Sequence, residues 1–210
     1  MPRGWAASRR ERRAEFPILI RVSSQGKSED VLPRPPRRIV LTGFMGSGKS
    51  TVGPLVAQRL GWRFVDADDV IEAEAGVAIT ELFKRHGEDI FREREREAIA
   101  RLAAGEGLVL ALGGGAIETA ETRRLLLTDA ETLLVHLEVA LETTLERCGG
   151  TEHTRPILAD QANLASRYER RLPLYRAAHV SIAVDALTPG EVVEAVLRAA
   201  GLGGAESGRQ

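Results

Sequence analysis

The stretch at residues 43–51 reads GFMGSGKST and satisfies the phosphate-binding pattern G-x-x-x-x-G-K-[ST]. An apolar run of Ile39, Val40 and Leu41 precedes it, and a stretch with apolar residues at helical spacing follows it. Glycines let a backbone wrap closely around an anion, and the N–H groups of the loop and helix start direct partial positive charge at its oxygens. The stretch therefore predicts a strand, a phosphate-binding loop and a helix that together bind a nucleoside triphosphate.

Two side chains of this loop have distinct predicted tasks. Lys49 reaches the terminal phosphates as a catalytic residue, and Ser50 binds the Mg²⁺ that accompanies ATP. Only three of the 29 Lys and Arg residues are lysines, so chance seldom puts a lysine at this place. The predicted nucleotide contacts in the loop are Gly46, Ser47, Gly48, Lys49, Ser50 and Thr51.

Length and composition are those of one globular domain. The 210 residues suffice for a single core, and a hydrophobic content of 43% is ordinary. The net charge of −1 gives no broad basic footprint, so no nucleic-acid partner is expected. The apolar runs are too short to span a membrane, and a single cysteine, Cys148, excludes a disulfide framework. We therefore expect a cytoplasmic protein without a membrane partner.

The two ends of the chain differ from its middle. Residues 1–37 hold nine Lys and Arg against four Asp and Glu, with three prolines near their end, and are predicted to form a basic, disordered extension. A transit peptide is an alternative, but such peptides are poor in acidic residues. The Gly-rich residues 201–210 are predicted to form a flexible tail. The expected domain therefore spans residues 38–200.

From residue 38 onward, short aliphatic runs alternate with segments of helical periodicity. Strands are predicted at 38–42, 63–65, 108–112, 132–137 and 180–184, and helices at 48–60, 69–75, 79–86, 88–104, 119–127, 139–147, 160–175 and 188–200. This alternation predicts a three-layer α/β/α fold with a parallel sheet. Pro54 removes a hydrogen bond inside the first helix, so a kink or irregular turn is expected there, within a helix that continues.

Two aspartates follow the second predicted strand. At this place after a strand, Asp66 is suited to face the metal and Asp68 to face an acceptor. The alternative is that both belong to the N-cap and acidic first turn of the next helix, a role that Asp69 fits best.

Further candidates lie at the following helix and at the end of the third strand. Arg92 follows an aromatic residue near the start of a densely charged helix, most of which should be a solvated face. The triple glycine at 113–115 permits close backbone approach to a ligand at the carboxyl edge of the sheet.

A polar, Gly-bearing segment at about 148–158 is predicted to be a mobile lid. Arg155 in this segment would fold over the phosphates and stabilise charge during transfer. In the next helix, Arg170 or Arg171 would meet a carboxylate as a bidentate fork.

Taken in order, these motifs resemble the shikimate kinases over roughly residues 38–200. The family shows a GxMGxGKST loop, a DxD after the second strand, G-x-x-x-F-R, a triple glycine, an R-P-[LI]-L lid and an R-x-P-L-Y segment. Here they stand at residues 43–51, 66–68, 87–92, 113–115, 155–158 and 171–175. The resemblance implies a phosphate-loop fold of the nucleoside-monophosphate-kinase type, with a five-stranded parallel sheet of order 2-3-1-4-5. It also implies transfer of the γ-phosphoryl group of ATP to the 3-hydroxyl of shikimate, by a monomer.

The resemblance further implies a role for each matching residue. Lys49 would bind the β- and γ-phosphates, Ser50 would hold Mg²⁺, and Asp66 would support that metal through water. Asp68 would bond the shikimate hydroxyls and is the best candidate to orient the attacking hydroxyl group or accept its proton. Arg92 and Arg171 would bind the shikimate carboxylate, and Gly114 would line the acceptor site. Arg155 would bind the phosphates, and Arg147 would stack on adenine.

Two other functions are open at this point. A related kinase such as a gluconate kinase shares the loop, although the triple glycine and the segment at 171–175 favour shikimate. A ligand-sensing regulator would use the same domain without turnover, with the basic N-terminal arm on DNA, but 37 residues with three prolines leave little room for a DNA-binding helix pair.

Overall fold

The computed structural model describes residues 20–22, 34–149 and 161–203. The predicted tail beyond residue 203, most of the predicted extension and nearly all of the predicted lid lie outside the described residues. The strands are β1 Ile20–Val22, β2 Arg38–Thr42, β3 Arg63–Asp66, β4 Leu108–Ala111, β5 Thr132–Glu138 and β6 Val180–Ala183. The helices are α1 Lys49–Leu60, α2 Ala67–Ala75, α3 Ile79–Ala103, α4 Ala120–Thr128, α5 Leu141–Cys148, α6 Gln161–Arg176 and α7 Pro189–Ala199, with a 3₁₀ turn at Ala116–Glu118.

Strands β2 to β6 form a parallel sheet in the spatial order β6-β5-β2-β4-β3. When these five strands are numbered along the chain, the order is 2-3-1-4-5, as the resemblance implied. The central strands are almost wholly apolar because helices cover both faces of such a sheet. Ile39, Val40 and Leu41 of β2 are all fully buried. Around the sheet, α1 packs against α7, and α3 packs against α2 and α4.

The five predicted strands and the predicted helices are confirmed, with ends that shift by two residues or fewer. The helices predicted at 79–86 and 88–104 form one element that kinks at Gly87, whose φ of 80° and ψ of 173° are not helical. The first helix continues through Pro54, as expected, but the irregular turn predicted as an alternative to a kink is absent there. Pro54 and Ser50 are both exposed, so water can bond the Ser50 carbonyl that loses its helical donor.

A sixth strand lies within the N-terminal extension. The backbone of β1 pairs antiparallel with β6, in the register Ile20 with Ile182 and Val22 with Val180. It therefore covers an edge of the sheet that would otherwise expose unpaired N–H and C=O groups. Within the described ranges, no helix combines the length and apolar character needed to cross a membrane.

Candidate active site

A cavity of about 850 Å³ lies beside the loops that follow the parallel strands, where ligands bind in folds of this class. All predicted site residues within the described part of the chain line this cavity: Gly46, Ser47, Gly48, Lys49, Ser50, Thr51, Asp66, Asp68, Arg92, Gly114, Arg147 and Arg171. Arg155 lies outside the described residues. The residues assigned to the nucleotide and those assigned to the acceptor therefore share one space.

The phosphate loop connects β2 to the first turn of α1. Gly46 and Gly48 have φ angles of 74° and 93°, a left-handed conformation that glycine adopts without strain. The Lys49 ammonium donates to the carbonyl oxygens of Gly43 at 2.8 Å and Phe44 at 3.1 Å, and to Ser47 Oγ at 3.3 Å. The loop thus holds a positive charge beside the start of α1, where phosphate oxygens are favoured.

Ser50 and Asp66 bring two oxygen atoms together at the mouth of the loop. Ser50 Oγ lies 3.5 Å from Asp66 Oδ2, while Asp66 Oδ1 accepts a hydrogen bond of 3.0 Å from the Asp68 N–H as the N-cap of α2. Burial raises the pKa of Asp66. The two oxygens fit Mg²⁺, which prefers oxygen ligands. No group of three or more His, Cys, Asp or Glu side chains in the described ranges is placed to hold a metal, so phosphate oxygens would have to complete the coordination.

Asp68 lies deeper in the cavity than the mouth of the loop. Burial raises the pKa of Asp68 to about 6, and the nearby negative charges of Asp66 and Glu95 add to the effect. At neutral pH the carboxylate is therefore ionised, but it binds a proton more readily than an ordinary aspartate. A carboxylate of this kind is suited to accept a proton from a hydroxyl group.

The triple glycine allows side chains of the site to pack directly on the backbone after β4. A Cβ atom at Gly113 would lie 2.5 Å from Asp68 Oδ1, and one at Gly115 would lie 2.6 Å from Arg92 Nη1. The carbonyl of Gly114 accepts a hydrogen bond of 2.5 Å from the Tyr175 hydroxyl, which stays protonated because burial raises its pKa to about 12. These glycines thus set the places of Asp68 and Arg92.

Arg92 is held by carboxylates on its own helix. Its Nη1 donates to Glu95 Oε2 at 2.6 Å, and its Nη2 donates to Glu88 Oε1 at 3.1 Å. The Glu95 side chain is only 2% exposed, so the expectation of a mostly solvated face is wrong at this position. Glu95 follows the buried Phe91 at helical spacing, and this periodicity would have identified it from the sequence.

Arg171 meets a carboxylate of the protein itself. Its Nε and Nη2 donate to Glu118 Oε2 at 2.9 and 2.6 Å, while Arg170 binds the other oxygen of Glu118. Arg167, one turn earlier on α6, also lines the cavity, and burial together with Arg171 lowers its pKa. Neither Glu118 nor Arg167 was predicted from the sequence. With Arg92, Arg167 and Arg171 in its wall, the acceptor side of the cavity is suited to an anion.

Arg147 lies beside the phosphate loop at the end of α5. Its Nη1 donates to the Gly46 carbonyl at 3.2 Å, and its Nη2 donates to the Val184 carbonyl at 3.2 Å. The Thr144 hydroxyl on the same helix donates to the Met45 carbonyl at 3.3 Å. The end of α5 is thus attached to the phosphate loop.

A phosphate loop on the central strand of a 2-3-1-4-5 sheet, with an acid and arginines beside it, defines a phosphate-loop kinase of the nucleoside-monophosphate-kinase type. The family model of shikimate kinase matches residues 45–200. A shikimate kinase of Moorella thermoacetica is 43% identical over 152 residues, which are 71% of this chain and 86% of the relative. The solved shikimate kinase of Acinetobacter baumannii in complex with shikimate has a TM-score of 0.72 and 35% identity, with 78% of this chain and 92% of that chain covered. The chain belongs to the shikimate kinase family, and with it to the ATP-dependent kinases.

A gluconokinase of Sinorhizobium meliloti is also similar in structure, with a TM-score of 0.53 and 22% identity, and 80% of this chain and 93% of that chain covered. At this level of identity the likeness shows a shared fold alone. The resemblance to the shikimate kinases and the sheet order that it implied are both confirmed.

Proposed function

We propose that the protein transfers the γ-phosphoryl group of ATP to the 3-hydroxyl of shikimate, giving shikimate 3-phosphate and ADP for aromatic amino-acid biosynthesis. The observation that carries this proposal is the placement of Asp68, Arg92 and Arg171 around the triple glycine, in one cavity with the phosphate loop. Shikimate is a small polyol acid, and these side chains offer a hydroxyl acceptor and two guanidinium groups for a carboxylate. The Acinetobacter relative, which was solved with shikimate, supports the same acceptor.

In the proposed reaction, Arg92 and Arg171 fix the acceptor through its carboxylate and direct its 3-hydroxyl at the γ-phosphorus. The new P–O bond forms as the bond to the ADP oxygen breaks, and the hydroxyl proton passes to the Asp68 carboxylate. Lys49 and Arg155 stabilise the negative charge on the transferred group, and Arg147 stacks on adenine. Mg²⁺, held by Ser50 and Asp66, would neutralise phosphate charge when it is bound with ATP. We propose that the enzyme works in the cytoplasm as a monomer, without nucleic acid or membrane.

The direct test is ADP release from Mg²⁺-ATP with shikimate, with gluconate or with neither. We expect strong stimulation by shikimate alone. Stimulation by gluconate alone would replace the proposal with a gluconate kinase. Binding of ATP without stimulation by either acid would favour the regulator, which would then have to show salt-dependent DNA binding.

Substitutions of Gly113 and Gly115 should change different kinetic constants for the acceptor. Gly115→Ala should raise KM for shikimate about tenfold, because the added Cβ displaces the Arg92 guanidinium rather than backbone. Gly113→Ala should mainly lower kcat, because it displaces the Asp68 carboxylate. Steady-state kinetics with shikimate and ATP varied in turn would measure both effects, and KM for ATP should not change.

Gly114→Ala is the matched control for this pair. A Cβ atom there would meet no neighbouring protein atom closer than 3.6 Å, at Arg171 Nη1 and Tyr175 Oη, and none of the three glycines has a positive φ. A loss of shikimate affinity in this variant would therefore indicate that shikimate itself lies close to Gly114. Equal effects of all three substitutions on both substrates would contradict the assigned contacts.

A further inference from the structure

We propose that Glu118 is a positioning residue of the acceptor site, which holds one edge of the Arg171 guanidinium so that the edge carrying Nη1 faces the acceptor. This inference rests on the proposed function, since it concerns how the shikimate carboxylate is met. Glu118 lies in the 3₁₀ turn directly after the triple glycine, while Arg171 lies on α6, so the pair ties the acceptor loop to that helix.

Glu118 contacts one edge of the Arg171 guanidinium group, and the edge that carries Nη1 lies opposite. Its Nε and Nη2 both donate to the same oxygen, Glu118 Oε2, at 2.9 and 2.6 Å. A guanidinium has five N–H donors in a fixed plane, so Glu118 does not engage the Nη1 donors and one Nη2 donor, and the Tyr175 hydroxyl also hydrogen-bonds Arg171. Nη1 is the Arg171 atom nearest to the Cβ position of Gly114, at 3.6 Å, and Gly114 lines the cavity. Glu118 therefore binds the edge that carries Nε, and the edge that carries Nη1 faces the acceptor side of the cavity.

The surroundings of Glu118 keep it charged and in place. Although burial opposes ionisation, hydrogen bonds and charge from Arg171 and Arg170 lower the pKa of Glu118 below its ordinary value. The Arg171 side chain is 6% exposed and that of Glu118 is 22% exposed, so water screens this pair less than a surface pair. Without the carboxylate, Arg167, Arg170 and Arg171 would repel one another, and Arg171 would lose its fixed orientation.

The opposite possibility is that Glu118 competes with the shikimate carboxylate for Arg171. If Glu118 orients Arg171, its loss should raise KM for shikimate, and if it competes with shikimate, its loss should lower KM. Glu118→Gln separates these two cases. A glutamine can direct its carbonyl oxygen at Arg171 and keep both hydrogen bonds, while its amide group faces Arg170. Because the Arg170 side chain is 62% exposed, it can move into solvent.

The experiment compares Glu118→Ala, Glu118→Gln and Arg171→Ala, with the double variant of Glu118→Ala and Arg171→Ala. We expect Glu118→Ala to raise KM for shikimate about tenfold with KM for ATP unchanged, and Glu118→Gln to stay within about threefold of wild type. In the Arg171→Ala background, loss of Glu118 should have no further effect, because the residue acts through Arg171.

A KM for shikimate that falls or does not change in both Glu118 variants would overturn the inference. So would additive effects of Glu118→Ala and Arg171→Ala. If Glu118→Ala does not fold, Glu118→Met keeps the bulk of the side chain without its acceptor oxygens and should show the same rise in KM. A wild-type protein that does not phosphorylate shikimate would instead contradict the proposed function, so the two failures are distinguishable.

Discussion

Lys49→Met should lower kcat for shikimate phosphorylation by about 10²–10³-fold. Methionine keeps an unbranched apolar stem but removes the ammonium group that lies among the carbonyls of Gly43 and Phe44. The charge of Lys49 should matter most when negative charge spreads over the transferred phosphoryl group, since a fixed cation in a water-poor site needs no reorganisation at that moment. The measurement is ADP release at saturating ATP and shikimate, with nucleotide affinity measured separately by calorimetry.

Lys84→Met is the matched control for this prediction. Lys84 is exposed on α3 and is absent from the wall of the cavity, so the same substitution there removes the same charge without touching the site. We expect unchanged kinetics in this control. Retention of a tenth or more of the wild-type rate by the Lys49 variant would contradict its phosphate role.

Local patterns were enough to predict most of the fold. The strands and helices could be predicted because their signals depend only on residues nearby in the sequence. These signals are the loop at 43–51, the aliphatic runs and the glycine at position 87. Pro54 was misjudged because its effect depends on exposure, which is a property of the folded chain. Strand β1 was missed because its backbone pairing partner lies about 160 residues away, at β6.

The motifs predict which residues belong to the site, but not the contacts that hold those residues in place. Asp68, Arg92 and Arg171 were identified from the family pattern, but the pattern does not say what holds them. The partner of Arg171 is Glu118, 53 residues earlier, and only the packing of α6 against the turn after the triple glycine brings them together. Glu95 is different, because its burial follows from helical periodicity with Phe91 and was available from the sequence.

Asp68→Asn should remove most of the activity while it leaves ATP binding nearly intact. An asparagine cannot take the proton of the acceptor hydroxyl, and loss of a positioned base lowers rates by about 10²–10⁴-fold. KM for shikimate should also rise, because a neutral amide is a weaker partner for its hydroxyl groups than a carboxylate. Asp69→Asn, at the adjacent exposed position outside the cavity wall, should have no comparable effect. A defect confined to ATP binding would refute the assignment.

The pH dependence of the reaction should follow the same carboxyl group. Because the pKa of Asp68 is about 6 rather than 3.8, the base form is lost as the pH falls through about 6. In wild-type enzyme, kcat/KM for shikimate should therefore fall below pH 6, and the residual activity of Asp68→Asn should lack this step. A wild-type profile that stays flat down to pH 4.5 would contradict a base with this pKa.

As the pH rises, the free energy of unfolding should change in the opposite direction to the activity. A folded-state pKa above the ordinary value means that the native protein holds the Asp68 proton more tightly than the unfolded chain does. The free energy of unfolding therefore decreases as the pH rises from 3.8 to about 6, and the full loss is present above this range. Allowing for partial exposure of the group, the loss at neutral pH is about 2 kcal/mol.

Asp68→Asn removes this unfavourable charge, so at pH 8 its Tm should exceed that of wild type by about 4–8 °C. At pH 4, where the native carboxyl group is protonated, most of the difference should vanish. Thermal unfolding at the two pH values measures both predictions, and a variant that is less stable than wild type at pH 8 would contradict them. A gain in stability together with a loss of rate is the behaviour of a residue placed for reaction, since a purely structural carboxylate would be favoured where it is ionised.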